Sequence, residues 1–316
     1  MASPTVPPQS SGQSIEAGSQ LIGTQCIGPC NPPDVTGKGW HGQVKLGWQR
    51  QGDRTAPVET RTAAPLRLQR PFYPEGNAVC HSTVIHTAGG MVGGDRLDLE
   101  FDLGPRGQAL VTTAAANKIY RSSGAIAAQN IALTLEAETS LEWFPQETIV
   151  FNGAQFQQRL RVNLAPGAVW LGWEVTRFGR SARGERFMTG QWRSHTEVWQ
   201  ASRPLWIDRQ HLVGGSPALD SPHGLAYQPV IASFAILGIQ ADADWIAQAR
   251  ELAVSDINGA EVNGDAVGVT ALTKGLLCRY RGHSSQSARR WFIRVWQMIR
   301  PALLGRPACL PRVWIR

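Results

Sequence analysis

The stretch Asp95–Gly104 reads DRLDLEFDLG. Leu97, Leu99, Phe101 and Leu103 alternate with the charged residues Asp98, Glu100 and Asp102. Successive side chains of an extended chain point to opposite faces, so this period of two marks a strand with one dry and one wet face. The pattern recurs on both sides of it. QVKLGW alternates Val44, Leu46 and Trp48; NIALTLEAE alternates Ile131, Leu133 and Leu135; QRLRVNLAPG alternates Leu160, Val162 and Leu164. Gly, Pro, Asn and Asp cluster between these runs at spacings of about ten residues, which predicts successive antiparallel strands. A strand–helix–strand rhythm is missing, which disfavours a parallel nucleotide-binding sheet.

Two segments break the period. ADADWIAQARELA (241–253) sets Trp245, Ile246, Ala249 and Leu252 at helical spacing. SSQSARRWFIRVWQMIRPALL (284–304) puts Ala288, Trp291, Phe292, Val295, Trp296, Met298 and Ile299 on one helix face. Gln286, Arg289, Arg290, Arg294, Gln297 and Arg300 share the other, and Ile293 is out of place. The serines are candidate caps, and Pro301 should end or kink the helix. The expected fold is mainly β, an extended layered architecture of many antiparallel strands with about two α-helices.

The bulk composition agrees with a folded chain. Of 316 residues, 42% are hydrophobic and 17% charged, which fits a globular protein with a sizeable core. No run approaches the length of a membrane-spanning helix, and no secretory signal is legible. Five scattered cysteines make a disulfide framework improbable and favour a reducing cytoplasm. Residues 1–39 hold six Pro, six Gly and five Ser with little apolar pattern, so they read as a disordered tail before a β-rich domain spanning 40–316. Cys26 and Cys30 lie in that tail without the further ligands a stable metal site needs. The net charge of +7 is concentrated at the end: residues 281–316 carry eight Arg and neither Asp nor Glu. That asymmetry points to an acidic partner surface.

Candidate chemistry concentrates in RPFYPEGNAVCHSTVIHTAGGMVGGD, Arg70–Asp95. His81 and His86 are five residues apart and point to opposite faces of one strand, so they do not share an ion. Gly89 and Gly94 have the spacing of a phosphate loop, but Asp95 stands where such a loop needs lysine. The glycines read instead as tight turns, with Asp95 bonding the next backbone amides. Glu142, Glu147 and Glu185 lie in SLEWFPQETIVFNGA and FGRSARGERFMTG, and two carboxylates facing one cleft can hydrolyse glycosides. With twelve tryptophans available for stacking on sugars, a carbohydrate-binding module or glycosidase is the alternative reading. Nucleic acid and membrane surfaces are considered only for the Arg-rich helix and are not expected partners.

Seven blocks carry a family resemblance: GWHG (39–42), APLRLQRPFYPEG (64–76), IHTAGGMVGGDRL (85–97), VTTAAANKIYR (111–121), LEWFPQETIVFNGA (141–154), WEVTRFGRSARGERF (173–187) and LPRVW (310–314). In this order they resemble the UreD family of urease accessory proteins, called UreH in some organisms. Ala114 departs from that pattern, and the tail lies outside it. The resemblance implies a non-enzymatic maturation factor in the cytoplasm that scaffolds UreF and the GTPase UreG on the urease apoprotein. It implies no resident cofactor and only transient handling of nickel. His86, Asp95, Glu142, Glu147 and Glu185 become passage or interface candidates, with Lys118, Arg121 and Arg180 orienting carboxylates or meeting partners. Nothing in this set makes a closed Cys/His cluster, which would trap an ion rather than pass it on.

Overall fold

A computed structural model describes residues 1–2, 39–180, 183–257 and 265–314. The tail expected over 1–39, with Cys26 and Cys30, therefore lies almost wholly outside the described residues. The domain consists of two stacked sheets and two helices. The first sheet contains β1 (His41–Gln51), β2 (Arg54–Ala63), β5 (Arg96–Leu103), β8 (Ala127–Leu135), β11 (Gln155–Leu164), β13 (Gln191–Gln200) and β14 (Arg203–Val213). Its spatial order is β14-β13-β11-β8-β5-β1-β2. The second contains β3 (Leu66–Leu68), β4 (Val79–His86), β6 (Gln108–Thr113), β9 (Ser140–Phe144), β12 (Val169–Phe178), β15 (Val230–Leu237), β16 (Ala266–Leu272) and β17 (Gly275–Gly282). Its order is β16-β17-β15-β12-β9-β6-β4-β3. Two short strands, β7 (Asn117–Ile119) and β10 (Thr148–Val150), join β12 as a small parallel flap.

The mainly-β, two-helix layered fold is as expected, but the strand pairing needs correcting. Antiparallel pairs occur toward the ends of each sheet, as β1 with β2 or β13 with β14. The central pairs are parallel: β1–β5, β5–β8, β8–β11 and β11–β13 in one sheet, β4–β6, β6–β9 and β9–β12 in the other. The reason is the path of the chain. In the middle of the stack β5, β8 and β11 are each followed by a strand of the second sheet, so the next strand back in the first sheet runs the same way. No helix is needed to make that return.

The short returns are alike. After Leu103, Leu135 and Leu164 the third residue in each case has a left-handed backbone: Arg106 (φ 58°), Glu138 (φ 58°) and Gly167 (φ 78°). Two stacked backbone bonds tie these turns together, Glu136 N to Leu103 O at 3.0 Å and Ala165 N to Leu135 O at 2.8 Å. Neighbouring turns thus satisfy each other's polar groups at the end of the stack. The opposite crossovers, 87–95, 114–126, 145–154 and the described residues of 179–190, are longer, and two of them carry β7 and β10. Four of the seven resemblance blocks run into these crossovers at this one end of the molecule.

Between the sheets the alternating residues interdigitate, with Trp48, Phe101, Trp143 and Trp170 among the fully buried side chains. The outer face of the second sheet is covered by α1 (Ala243–Ile257) and α2 (Ser285–Leu304). Ser284 caps α2 by accepting from Ser287 N, and Gly305 closes it with a left-handed backbone at φ 64°. Pro301 sits inside the last turn and does not end the helix, which runs on to Leu304. Trp291, Phe292, Val295, Trp296 and Ile299 are buried as the periodicity predicts. Each large side chain so buried contributes about 2–3 kcal/mol.

Arg300 is the exception on this helix. Expected on the wet face, its guanidinium is completely buried. It lies one turn beyond Trp296, on the flank shared with Arg289 and Ile293, so the buried sector is wider there than the apolar stripe. Ile293, out of place on the wheel, is in fact partly buried on the same flank. The burial is made possible by two carboxylates, Glu142 and Glu75.

Candidate functional site

Where the long crossovers leave the two sheets, a cavity of about 370 Å³ opens between them. Leu97, Leu99, Gln129, Ile131 and Gln158 line it from the first sheet. His86, Thr113, Trp143 and Glu174 line it from the second, and Asn117, Lys118 and Thr148 from the flap. Its floor is apolar, while its polar groups come from inward positions where strict alternation would place aliphatic residues.

Glu174 is the most perturbed of these groups. On β12 the side chains of Trp170 and Phe178 face the first sheet, and Glu174 shares their face. Its carboxylate accepts from Gln158 Nε2, and from Ser194 Oγ at 3.3 Å, both on the opposite sheet. Burial pushes its pKa up from 4.5 to about 7, with Asp208 adding to the effect. Polar positions continue from it toward one edge of the molecule. Glu174, Ser233 and Arg279 are in register across β12, β15 and β17. Gln158, Ser194 and Gln210 are in register across β11, β13 and β14. Arg279 crosses the layers to Asp208 at 3.0 Å. A polar seam therefore runs from the cavity through an otherwise apolar interior.

The expected residues are dispersed around this seam. His86 and Lys118 line the cavity, with His86 held below its usual pKa by burial, against the pull of Asp95. Asp95 itself is a strut. Its carboxylate accepts from Trp40 N and Val92 N, both at 2.8 Å. The GGMVGGD segment is the turn expected, with positive φ at Gly89, Gly90 and Gly94, but Asp95 bonds a preceding amide and a distant one, not those that follow it. Gly39 and Gly94 approach so closely there that a Cβ on Gly39 would lie 2.1 Å from the Gly94 carbonyl carbon.

Glu142 points away from the cavity, because its neighbours Leu141 and Trp143 take the inward positions of β9. It accepts from Trp296 Nε1 at 2.6 Å and from Arg300 Nε at 2.9 Å. Burial pushes its carboxyl up, opposed by Arg300 and Trp296. Arg300 also holds Glu75 at 2.8 Å, and Glu75 meets His81 Nε2 at 2.7 Å. Burial alone would raise Glu75, but His81 and Arg300 outweigh it and hold the carboxyl below its ordinary value. Glu147 lies 3.7 Å from Arg289. Arg121 is exposed, its side-chain stem against Gly153.

Glu185 and Arg180 close on each other: Arg180 Nε and Nη2 donate to the carboxylate at 2.7 and 2.9 Å, and Arg180 N adds a third bond. Arg180 holds the Glu185 carboxyl below its usual value. Because the pair is partly exposed, Glu185→Gln should cost only about 1 kcal/mol in chemical denaturation. A cost above about 3 kcal/mol would show that the pair acts as a buried strut.

Glu174, Gln158 and Ser194 were missed by motif reading, since none belongs to a recognisable chemical motif. One signal was available: each is a polar residue at an inward position of an alternating strand. Among the described residues, no three His, Cys, Asp or Glu side chains gather into a set that could hold a metal ion. No described helix is long and apolar enough to cross a membrane.

Comparison with known proteins gives the family. The model of the UreD urease accessory protein family matches residues 41–315. Urease accessory protein UreD of Nostoc sp. is 53% identical over 281 residues, covering 89% of this chain and 98% of the relative. The UreD of Acaryochloris marina is 54% identical over 275 residues, covering 87% and 95%. That of Dechloromonas aromatica is 41% identical over 275 residues, covering 87% and 94%. The match spans both sheets and both helices, and the motif blocks that converge at the cavity end lie within it: the chain belongs to the UreD family of urease accessory proteins.

Proposed function

We propose that this chain is a non-catalytic urease maturation factor. It works with UreF and the GTPase UreG on the urease apoprotein, and passes nickel, as cargo, through the space between its two sheets. Family membership supports the maturation role, and the polar seam from His86 to Glu174 and beyond is the observation that carries the route. A conduit needs donors that bind a divalent ion weakly and in sequence. Neutral imidazole, carboxylate and amide oxygen suit nickel, and spacing them along a seam avoids a closed site that would retain it. Near neutrality Glu174 is poised between its protonated and ionised forms, so exchanging a proton for a cation there costs little. His86 and Lys118 stand at the entrance. Asp95 and the Glu185–Arg180 pair position the crossovers around it, Glu142 anchors α2 on the far side of the second sheet, and Glu147 and Arg121 belong to the partner-facing rim.

Co-expression with urease subunits and the other accessory proteins tests both halves. Pull-down on this chain should recover UreF, UreG and apo-urease. His86→Ala combined with Glu174→Ala should leave that recovery intact while urease nickel content falls at least several-fold. Normal nickel content with the double variant would remove the route; loss of recovery by the wild-type chain would remove the assembly.

A further inference from the structure

The outer face of the first sheet is uneven in charge. Toward β1 and β5 the charges offset each other: Lys45 meets Glu100 at 3.0 Å and Glu59 at 3.6 Å, and Arg96 meets Asp98 at 2.8 Å. Toward the other edge the outward positions carry more arginines than carboxylates. In register across β11, β13 and β14 stand Arg159, His195 and Arg209, with Gln157, Arg193 and His211 in the adjacent row. Within the first row Arg209 Nε donates to His195 Nε2 at 3.2 Å, so the row is held by hydrogen bonding and adds positive charge to the face. Glu197 supplies the carboxylate to this region and is already shared. It takes Arg161 at 2.6 Å, His195 at 2.8 Å and the Trp199 indole N–H at 2.9 Å. Burial, then Arg209 and Arg159, hold the His195 imidazole below its usual pKa against the pull of Glu197.

The apolar neighbours on this face matter equally. Ile207 and Val213 flank Arg209 and His211 on the outward side of β14, and are 41% and 45% exposed. Arg161 stacks on Trp199, 4.5 Å from the ring centroid. A flat face mixing arginine, an aromatic ring and exposed aliphatics has the composition of a protein interface. A nucleic-acid duplex is instead met by an element that enters a groove, and among the described residues no helix lies on this face.

We infer that the outer face of β11, β13 and β14 is a docking surface for a carboxylate-rich face of a partner protein. Partner carboxylates would meet the exposed Arg193 and Arg209 bidentately, while Ile207 and Val213 become covered. The inference rests on the reading of this chain as a member of a protein assembly, and is independent of any nickel route.

The test uses the isolated full chain with three immobilised probes at graded salt: poly-L-glutamate, a random DNA duplex and phosphatidylserine vesicles. Arg193→Glu with Arg209→Glu should weaken poly-L-glutamate binding about tenfold or more. Arg67→Glu with Arg290→Glu, an equal charge change at exposed positions elsewhere, should weaken it less than about threefold. The Arg193/Arg209 variant should melt within a few degrees of the wild type, because both side chains are exposed. If it fails to fold, Arg193→Gln with Arg209→Gln decides the question by the same comparison. Equal losses in the two charge-matched variants would overturn the inference, as would tighter binding of DNA or vesicles than of poly-L-glutamate. A pull-down of the urease assembly on the variant separates the two readings: lost docking with normal partner recovery removes the face but leaves the assembly.

Discussion

Replacing Arg300 with methionine is expected to destabilise the protein by about 3–5 kcal/mol, the largest effect of any single substitution considered. Methionine fills the space but leaves the buried Glu142 and the largely buried Glu75 without their cation. Much of the loss is the cost of two stranded carboxylates, not of a missing attraction. The cluster also ties three distant parts of the chain together: β9 through Glu142, the loop before β4 through Glu75, and the end of α2 through Arg300, whose Nη1 donates to Pro307 O. Chemical denaturation and soluble yield measure the effect. Substituting all three members with apolar residues of similar volume should recover much of the stability, since no charge is then left unpaired. A single Arg300→Met variant within about 1 kcal/mol of wild type would show that the cluster is solvated and not structural. Acid should loosen the same cluster. Glu75 is depressed in the folded state, so its stabilisation is present above its unfolded pKa and is lost as pH falls through the lower folded value.

Glu174 should behave in the opposite sense. Its folded pKa of about 7 lies above the ordinary 4.5, so between these values the native state keeps a proton that the unfolded state has released. Stability therefore falls as pH rises from about 4.5 to about 7, and above that range the full penalty remains. At 1.36 kcal/mol per unit the penalty is about 3 kcal/mol, and somewhat less where water in the cavity reaches the carboxylate. Glu174→Gln removes the charge while retaining an acceptor oxygen. At pH 8 it should raise stability by about 2 kcal/mol, a gain of several degrees in Tm. Around pH 4.5 the difference from wild type should nearly vanish. Under the proposed route the same variant should deliver less nickel, so stability and function would move in opposite directions. No gain in Tm at pH 8 would mean that Glu174 is ionised at little cost and that its environment is wetter than its partners imply.

The alternating runs determined the strands by themselves, because a buried face on an extended chain forces apolar residues to every second position. Leu97 to Leu103 and Leu160 to Leu164 could be placed in this way, and so could the stripe of α2 from Ala288 to Ile299. Pairing direction could not, since alternation is identical in parallel and antiparallel ladders. It was decided by the chain's habit of crossing between layers after turns such as that at Arg106. The motif blocks also located the important end of the molecule without showing what lies there. Glu142 and Glu174 illustrate the difference. Both are glutamates in strands within conspicuous motifs, and the sequence separates neither from the other. Tertiary structure turns Glu142 outward under α2 to meet Arg300, and Glu174 inward between the sheets to meet Gln158 and Ser194. The partners that set the charge state of each carboxylate come from distant segments, and only the packing of layers brings them within hydrogen-bonding reach.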